Sequence, residues 1–356
     1  MLTAETSATE IPGTGQAPTG DGSQHRWEEM LGSLAGLLPV GSQRVLVDGP
    51  ADQANRFASR LAERLGARGR PVQVTLDPNG TRDATIFLRT TPGGRHFPVY
   101  RKDSEDRDDS ADRGDSADAG ERGDRDRRGR EERADIVIDL HDFHWPVIRR
   151  VAAPLAARGS WYLTETRAFF ACRAASWDSK FGDDLPAYCA AVAEAGLRRG
   201  GMVIDVGCGT GRALQSLRMA AGPSGAVIAL DVTPEMLDVA RPAATLADAT
   251  RVLGDARALP LADGLADAIF AAGLVNHLPD TEAGLRELAR VTAPGGLLVL
   301  FHPSGRAALA ARHGHALSPD EPLAEGPLRR FTSASGWRLT AYDDAPHRFF
   351  AVAERR

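Results

Sequence analysis

The residues best suited to chemistry lie in Val203-Ile204-Asp205-Val206-Gly207-Cys208-Gly209-Thr210-Gly211. An apolar strand ends there in a loop with glycine at every second position, and a helical pattern follows from about Arg212. Glycine permits positive φ and close approach of a ligand, and a helix N-terminus adds free N–H groups and positive dipole. Dinucleotide binders use G-x-G-x-x-G and seat a pyrophosphate on that terminus. This loop is G-x-G-x-G, and Asp205 stands two places before its first glycine. A carboxylate there suits a cationic or amine-bearing ligand better than a pyrophosphate. Asp231, twenty residues beyond Gly211, closes the strand AVIALD, where an acid can take both ribose hydroxyls. Asp255, in Leu253-Gly254-Asp255-Ala256, closes a third strand and is placed to accept from an exocyclic amine.

Three acids at successive strand ends face one crevice only if the strands run parallel, with helices between them. The sequence supplies that alternation. Strands are predicted at Met202–Val206, Ala226–Leu230, Thr250–Leu253, Ala266–Ala271 and Leu297–Phe301, and helices after Gly211, at Pro234–Ala240 and at Thr281–Val291. Trp337–Tyr342 and Arg348–Ala353 flank Asp343–Pro346 and read as an antiparallel hairpin. Residues 160–200 read as helical and hold Trp161, Tyr162, Phe169, Phe170, Trp177 and Phe181.

On these motifs residues 200–356 resemble a class I S-adenosylmethionine-dependent methyltransferase. Asp205–Gly211 matches the family's first motif, Asp231 its ribose-binding acid, and Gly254-Asp255-Ala256 its adenine contact. Ala271-Ala272-Gly273-Leu274 matches the segment after the fourth strand, and Pro294-Gly295-Gly296 the turn before the fifth. The resemblance implies S-adenosyl-L-methionine as methyl donor. Gly207, Cys208, Gly209 and Gly211 would pack under its methionine moiety and Asp205 would hold its amino group. Asp231 and Val232 would meet the ribose, Met236 the adenine face, Asp255 and Ala256 the adenine edge, with Ala271 and Gly273 beside the donor. Trp177 and Phe181, in Trp177-Asp178-x-Lys180-Phe181, resemble the lid helix of small-molecule members.

Methyl transfer needs a general base only if the acceptor must lose a proton. His277, after the fourth strand, and His302, after the fifth, are the candidate catalytic residues, and each serves equally as a structural loop histidine. The segment Ala271–Leu274 lacks the Asp/Asn-Pro-Pro-aromatic signature of amino-directed DNA enzymes, and no cysteine near the crevice is placed as a nucleophile. A small-molecule acceptor remains by elimination, with no metal, nucleic-acid or membrane partner expected and a homodimer left open.

Residues 40–150 resemble the uridine-kinase-like branch of P-loop nucleoside kinases. Arg44–Pro50 looks like the first strand and loop opening, Phe57–Leu65 and Gly69–Val72 like the following helix and strand, and Ala134–Arg150 like a late strand and helix. Val72–Leu76, Ala84–Leu88 and Asp135–Leu140 are further strand candidates, and Pro146 is read as opening a helix to about Arg158. A phosphate loop reads G-x-x-x-x-G-K-[ST]. Here Ala54 replaces the second glycine, Asn55 the lysine and Arg56 the hydroxyl residue, and Asp52 adds negative charge, so an inactive kinase-like domain is expected. His141, Asp142 and His144 form a metal cluster or, preferably, a strand-to-helix turn capped near Asp142.

The fold class implied is α/β, with two Rossmann-like doubly wound domains at 26–158 and 159–356, the second with a seven-stranded sheet ending in the antiparallel hairpin. Residues 1–25 read as a disordered tail. Residues 101–133 hold 10 basic and 13 acidic side chains and read as a disordered insertion. Net charge is −5 over 356 residues, which gives no basic field for a polyanion. Of the 43 basic residues only Lys102 and Lys180 are lysines, which reads as GC-rich coding. Three cysteines without C-x-x-C argue against a disulfide framework, and Arg26 as the first basic residue argues against a leader peptide, so a cytoplasmic protein is expected. Two rivals stay open: a cofactor-binding regulatory protein without turnover, and a bifunctional nucleoside kinase and methyltransferase.

Overall fold

A computed structural model describes residues 20–39, 44–77, 79, 82–90, 99–101, 126–127, 129–131, 133–152, 155, 161–181, 184–313 and 317–356. Most of the expected tail and the core of the charged insertion, residues 1–19 and 102–125, lie outside the described residues.

The first sheet is mixed and has the order β2-β1-β3-β5-β6-β4. Its strands are β1 (Arg44–Asp48), β2 (Gln73–Thr75), β3 (Ala84–Arg89), β4 (Val99–Arg101), β5 (Ile136–Asp139) and β6 (Val147–Ala152). Strands β2, β1, β3 and β5 pair in parallel, whereas β6 is antiparallel to β5. Helix α1 (Gly20–Leu37) carries Trp27, Met30, Leu31, Leu34 and Leu37 into the core of this sheet. Helix α2 (Ala51–Ala67) adds Ala54, Phe57, Leu61 and Leu65, a stripe at three- and four-residue spacing. Gly69, at φ +66°, ends its run.

Four expectations are corrected here. The tail ends earlier than residue 25, because α1 already begins at Gly20. The end of the insertion takes part in the fold, since Arg130 pairs with Asp48 at 2.8 Å and Glu131 with Arg89. Helix α2 starts at Ala51, so only Gly49 and Pro50 separate it from β1, and Asn55 and Arg56 sit in helix rather than in a loop. The helix expected after Pro146 is strand β6, and Asp142 accepts from the His144 N–H at 2.9 Å in a strand-to-strand turn rather than at a helix cap.

The β5–β6 ladder has an irregularity. Ile138 pairs with Ile148 and Val137 with Arg150, so Arg149 is an extra residue, a β-bulge. Ile148 and Val151, three residues apart, consequently face the same core.

The second sheet has seven strands in the order β12-β13-β11-β10-β7-β8-β9. They are β7 (Met202–Val206), β8 (Ala226–Asp231), β9 (Ala249–Leu253), β10 (Ala266–Ala272), β11 (Thr292–His302), β12 (Trp337–Ala345) and β13 (Arg348–Arg355). Strand β13 runs antiparallel between β11 and β12, and the remaining pairs are parallel. Apolar clusters fill both faces, one around Leu214, Leu217 and Phe270, the other around Ile204, Leu285 and Trp337. Helix α3 (Trp161–Ala171) lies between the sheets. Its Glu165 is fully buried, pairs with Arg26 of α1 and accepts the Ile148 N–H at 2.6 Å. No described helix is long and apolar enough to cross a membrane.

Candidate active site at the carboxyl edge of the second sheet

Strand β7 is buried from Val203 to Val206, which carries Asp205 into the interior beneath the glycine loop. Gly207, Gly209 and Gly211 have φ of +75°, +54° and +86°, a run that other residues adopt only with strain. The Gly207 and Cys208 N–H groups both donate to Leu230 O, at 2.8 and 3.0 Å, and fold the loop back over β8. Helix α6 (Leu214–Ala221) begins slightly later than Arg212. A Cβ on Gly211 would stand 2.9 Å from Leu214 Cδ1 and 3.1 Å from Ala243 Cβ, whereas one on Gly209 would meet no atom within 4 Å. Gly211 is therefore a packing glycine, and Gly209 borders open space.

Asp231, at the end of β8, is 7 % exposed. Its Oδ2 accepts the Gly209 N–H at 2.9 Å and its Oδ1 the Thr233 N–H at 2.8 Å, so it staples the loop to helix α7 (Pro234–Val239). Each oxygen keeps a further acceptor position. Burial pushes this carboxyl up, against those N–H groups. Burial, and next the Asp231 charge, push Asp205 up to about 8. Asp205 Oδ2 is buried without a hydrogen-bond partner, and such a group costs about 1–3 kcal/mol. Met236 is buried beneath the same edge, and half-buried Val232 accepts from Arg167 Nε of α3 at 2.9 Å. Asp255 differs from expectation: its oxygens already accept from the Nε, Nη2 and backbone N of Arg257, at 3.0, 2.6 and 2.9 Å. Burial raises the Asp255 carboxyl, but Arg257 outweighs it and holds the group low. Ala256 beside it is half-buried.

Ala271 is buried near the end of β10, and Gly273, at φ +70°, donates to Phe301 O at 2.9 Å, which ties the β10 end to β11. His277 is half-buried, with its ring centroid 5.1 Å from that of Phe170. Burial, then Arg149 and His302, push its pKa down to about 3. His302 takes the Ser304 N–H on Nδ1 at 3.0 Å. Both histidines thus stand at the carboxyl edge.

The proposed lid is helix α4 (Trp177–Phe181). Trp177 packs on Phe170 with ring centroids 5.5 Å apart, while the Phe181 side chain lies outside the described residues. Asp178 accepts from Thr210 Oγ1 at 2.7 Å and from Arg212 Nη1 at 2.8 Å. Arg212 also pairs with Asp184, so the helix is tied to the glycine loop by charge. Thr210, Arg212, Phe170 and Arg257 carried no site role in the sequence reading. Thr210 lies inside the glycine motif and Arg212 borders it, so both could have been named from it.

Arg149 was also missed. The bulged guanidinium is 2 % exposed and lies 4.1 Å over the Phe169 ring. Its Nε and Nη1 have no hydrogen-bond partner, and the Asp139 carboxylate is 3.9 Å away. Burial pushes it down to about 9. Among the described residues no group of three His, Cys, Asp or Glu could hold a metal ion.

The donor set fits S-adenosylmethionine. Asp205 offers an orphaned buried oxygen for an amino group, Asp231 has capacity for hydroxyls, and Gly209 borders a volume free of side chains. Residues 204–300 match the methyltransferase domain family. A 37.1 kDa protein in transposon TN4556 of Streptomyces fradiae is 40 % identical over 107 residues, 30 % of this chain and 31 % of that protein. A demethylmenaquinone methyltransferase of Staphylococcus aureus is 35 % identical over 112 residues, 31 % of this chain and 46 % of that protein. The chain thus spans less than half the length of these two curated relatives. A solved S-adenosylmethionine-dependent methyltransferase from Aquifex aeolicus aligns with 51 % of this chain and 98 % of its own, at 25 % identity and a TM-score of 0.43. The family match falls on the strands that carry Asp205, Asp231 and Asp255, and the C-terminal part of the chain carries a class I S-adenosylmethionine-dependent methyltransferase domain.

Proposed function

We propose that the protein transfers a methyl group from S-adenosylmethionine to a small-molecule acceptor. Residues 159–356 would form the methyltransferase domain and residues 26–158 a scaffold without kinase activity. The observation that carries this reading is the unpartnered Asp205 oxygen beside Asp231, under a glycine loop at the carboxyl edge of a parallel sheet. Bound S-adenosylmethionine supplies a methyl carbon already activated on a sulfonium. Asp205 would hold the amino group, Asp231 the ribose hydroxyls, and the Gly207–Gly211 backbone would pass beneath the methionine part. The α4 helix would exclude water through its ties to Thr210 and Arg212. His277, with its pKa pushed down to about 3, is neutral in the ordinary pH range and too weak a base to hold a proton there, so it would position the acceptor by hydrogen bonding rather than serve as a general base.

The relative named for demethylmenaquinone supports a small acceptor. Against kinase activity stands the two-residue connection between β1 and α2, which leaves no loop to cradle phosphates. Calorimetric titration with S-adenosylmethionine tests the reading. Wild type should bind, and Asp231→Ala should bind at least about tenfold more weakly through loss of a charged contact. No binding by wild type would overturn it, and release of S-adenosylhomocysteine with candidate acceptors separates an enzyme from a regulator.

A further inference from the structure

The β5–β6 bulge takes Arg149 out of the ladder, and its guanidinium lies over Phe169 of α3. Its guanidinium is buried, with Nε and Nη1 lacking an acceptor. The nearest carboxylate, Asp139 at 3.9 Å, lies beyond hydrogen-bond reach and already accepts the His141 N–H. Arg173 also lies over the Phe169 ring, at 3.9 Å, and donates to Phe169 O and Cys172 Sγ rather than to an acid. Arg89 is neutralised by Glu131. Two guanidiniums thus flank the Phe169 ring, with the Asp139 and Asp142 carboxylates acting at the same corner, and neither acid takes a hydrogen bond from Arg149 Nε or Nη1.

The next residue, Phe170, contacts both His277 and Trp177, and Arg149 is close enough to His277 to act on its charge. The bulged guanidinium thus borders the acceptor side of the site. A planar fork held over an aromatic ring is suited to a planar carboxylate, which it can take with two parallel hydrogen bonds.

We propose that Arg149 binds a carboxylate on the methyl acceptor, so that the first sheet supplies the recognition group for a reaction carried by the second. This rests on the methyltransferase reading and makes the acceptor a small organic acid.

The test uses the full-length protein, with benzoate as probe and benzamide as its neutral counterpart, read by calorimetry. Benzoate should bind wild type, benzamide should bind about tenfold or more weakly, and Arg149→Met should lose benzoate affinity by a similar factor. Arg149→Lys, which keeps charge without the fork, should fall between and decides the matter if Arg149→Met does not fold. S-adenosylmethionine should bind both variants as it binds wild type. Equal binding of benzoate and benzamide by wild type, no binding of benzoate, or benzoate affinity unchanged in the variants would overturn the proposal. Loss of S-adenosylmethionine binding in wild type would instead overturn the reading beneath it.

Discussion

Gly209 and Gly211 lie two residues apart in one loop, and the structure gives their replacement by alanine opposite consequences. Gly211, at φ +86°, lies beyond the left-handed helical well, and its Cβ would press on Leu214 at 2.9 Å and Ala243 at 3.1 Å. The backbone term is about 1–2 kcal/mol and overpacking adds about 1–3 kcal/mol. Gly211→Ala should therefore cost about 2–5 kcal/mol, or a fall in Tm on the order of 4–20 °C for a domain of this size. Gly209, at φ +54°, lies inside that well, and its Cβ would meet nothing within 4 Å. Gly209→Ala should cost the fold only about 1 kcal/mol while its methyl enters the volume assigned to the methionine part of the donor. Differential scanning fluorimetry and calorimetric titration with S-adenosylmethionine read the two effects separately. Gly209→Ala should keep most of its Tm and lose about tenfold or more in affinity. If it binds the donor as wild type does, the loop does not border the donor and the cofactor geometry argued above is wrong.

Four further outcomes follow from named contacts. The folded pKa of Asp205 is raised to about 8, so the native state binds the extra proton. Stability of the free protein should fall from about pH 4 to about pH 8, and Asp205→Asn should flatten that slope in urea titrations. Donor affinity should rise over the same interval as the carboxylate forms. Glu165→Ala strands the buried Arg26 and the Ile148 N–H and should cost about 3–5 kcal/mol in chemical denaturation. Asp178→Ala frees the α4 helix from Thr210 and Arg212. Because Asp178 is half-exposed, the loss should be near 1 kcal/mol, or about fivefold in donor affinity, seen as faster dissociation in stopped-flow. Finally, His277 is neutral down to about pH 3, so a plot of kcat/KM against pH should show no limb that His277→Gln removes.

The second sheet was legible because β7, β8, β10 and β11 hold apolar runs beside chemically marked residues. Asp205, Asp231 and Asp255 announce strand ends, and the β10 and β11 runs are almost wholly apolar. The first sheet was legible only where strands alternate with helices. Helix α1 has a stripe, Trp27, Met30, Leu31, Leu34 and Leu37, whose first turns run into a polar, glycine-rich tail that masks its start. Strand β6 was misread for a physical reason. Val147, Ile148, Val151 and Ala152 follow helical spacing, and inserting one residue into a strand produces the same offset. The Asp255–Arg257 pair and the Arg212 ties to Asp178 and Asp184 depend on where side chains meet in space. No spacing in the chain announces such meetings.

A residue that sits outside the pairing register is also outside the folding constraint that register imposes. Without Arg149, Ile148 and Val151 would stand two apart, and the ladder beside β5 could close as an ordinary alternating strand. The guanidinium is thus a side chain that the β5–β6 pairing does not need. Removal of that one residue would restore the regular ladder and leave the Phe169 face that Arg149 covers to be filled by something else. Chain length in that hairpin, more than the identity of any core residue, would then sort proteins of this architecture by the acceptor they take.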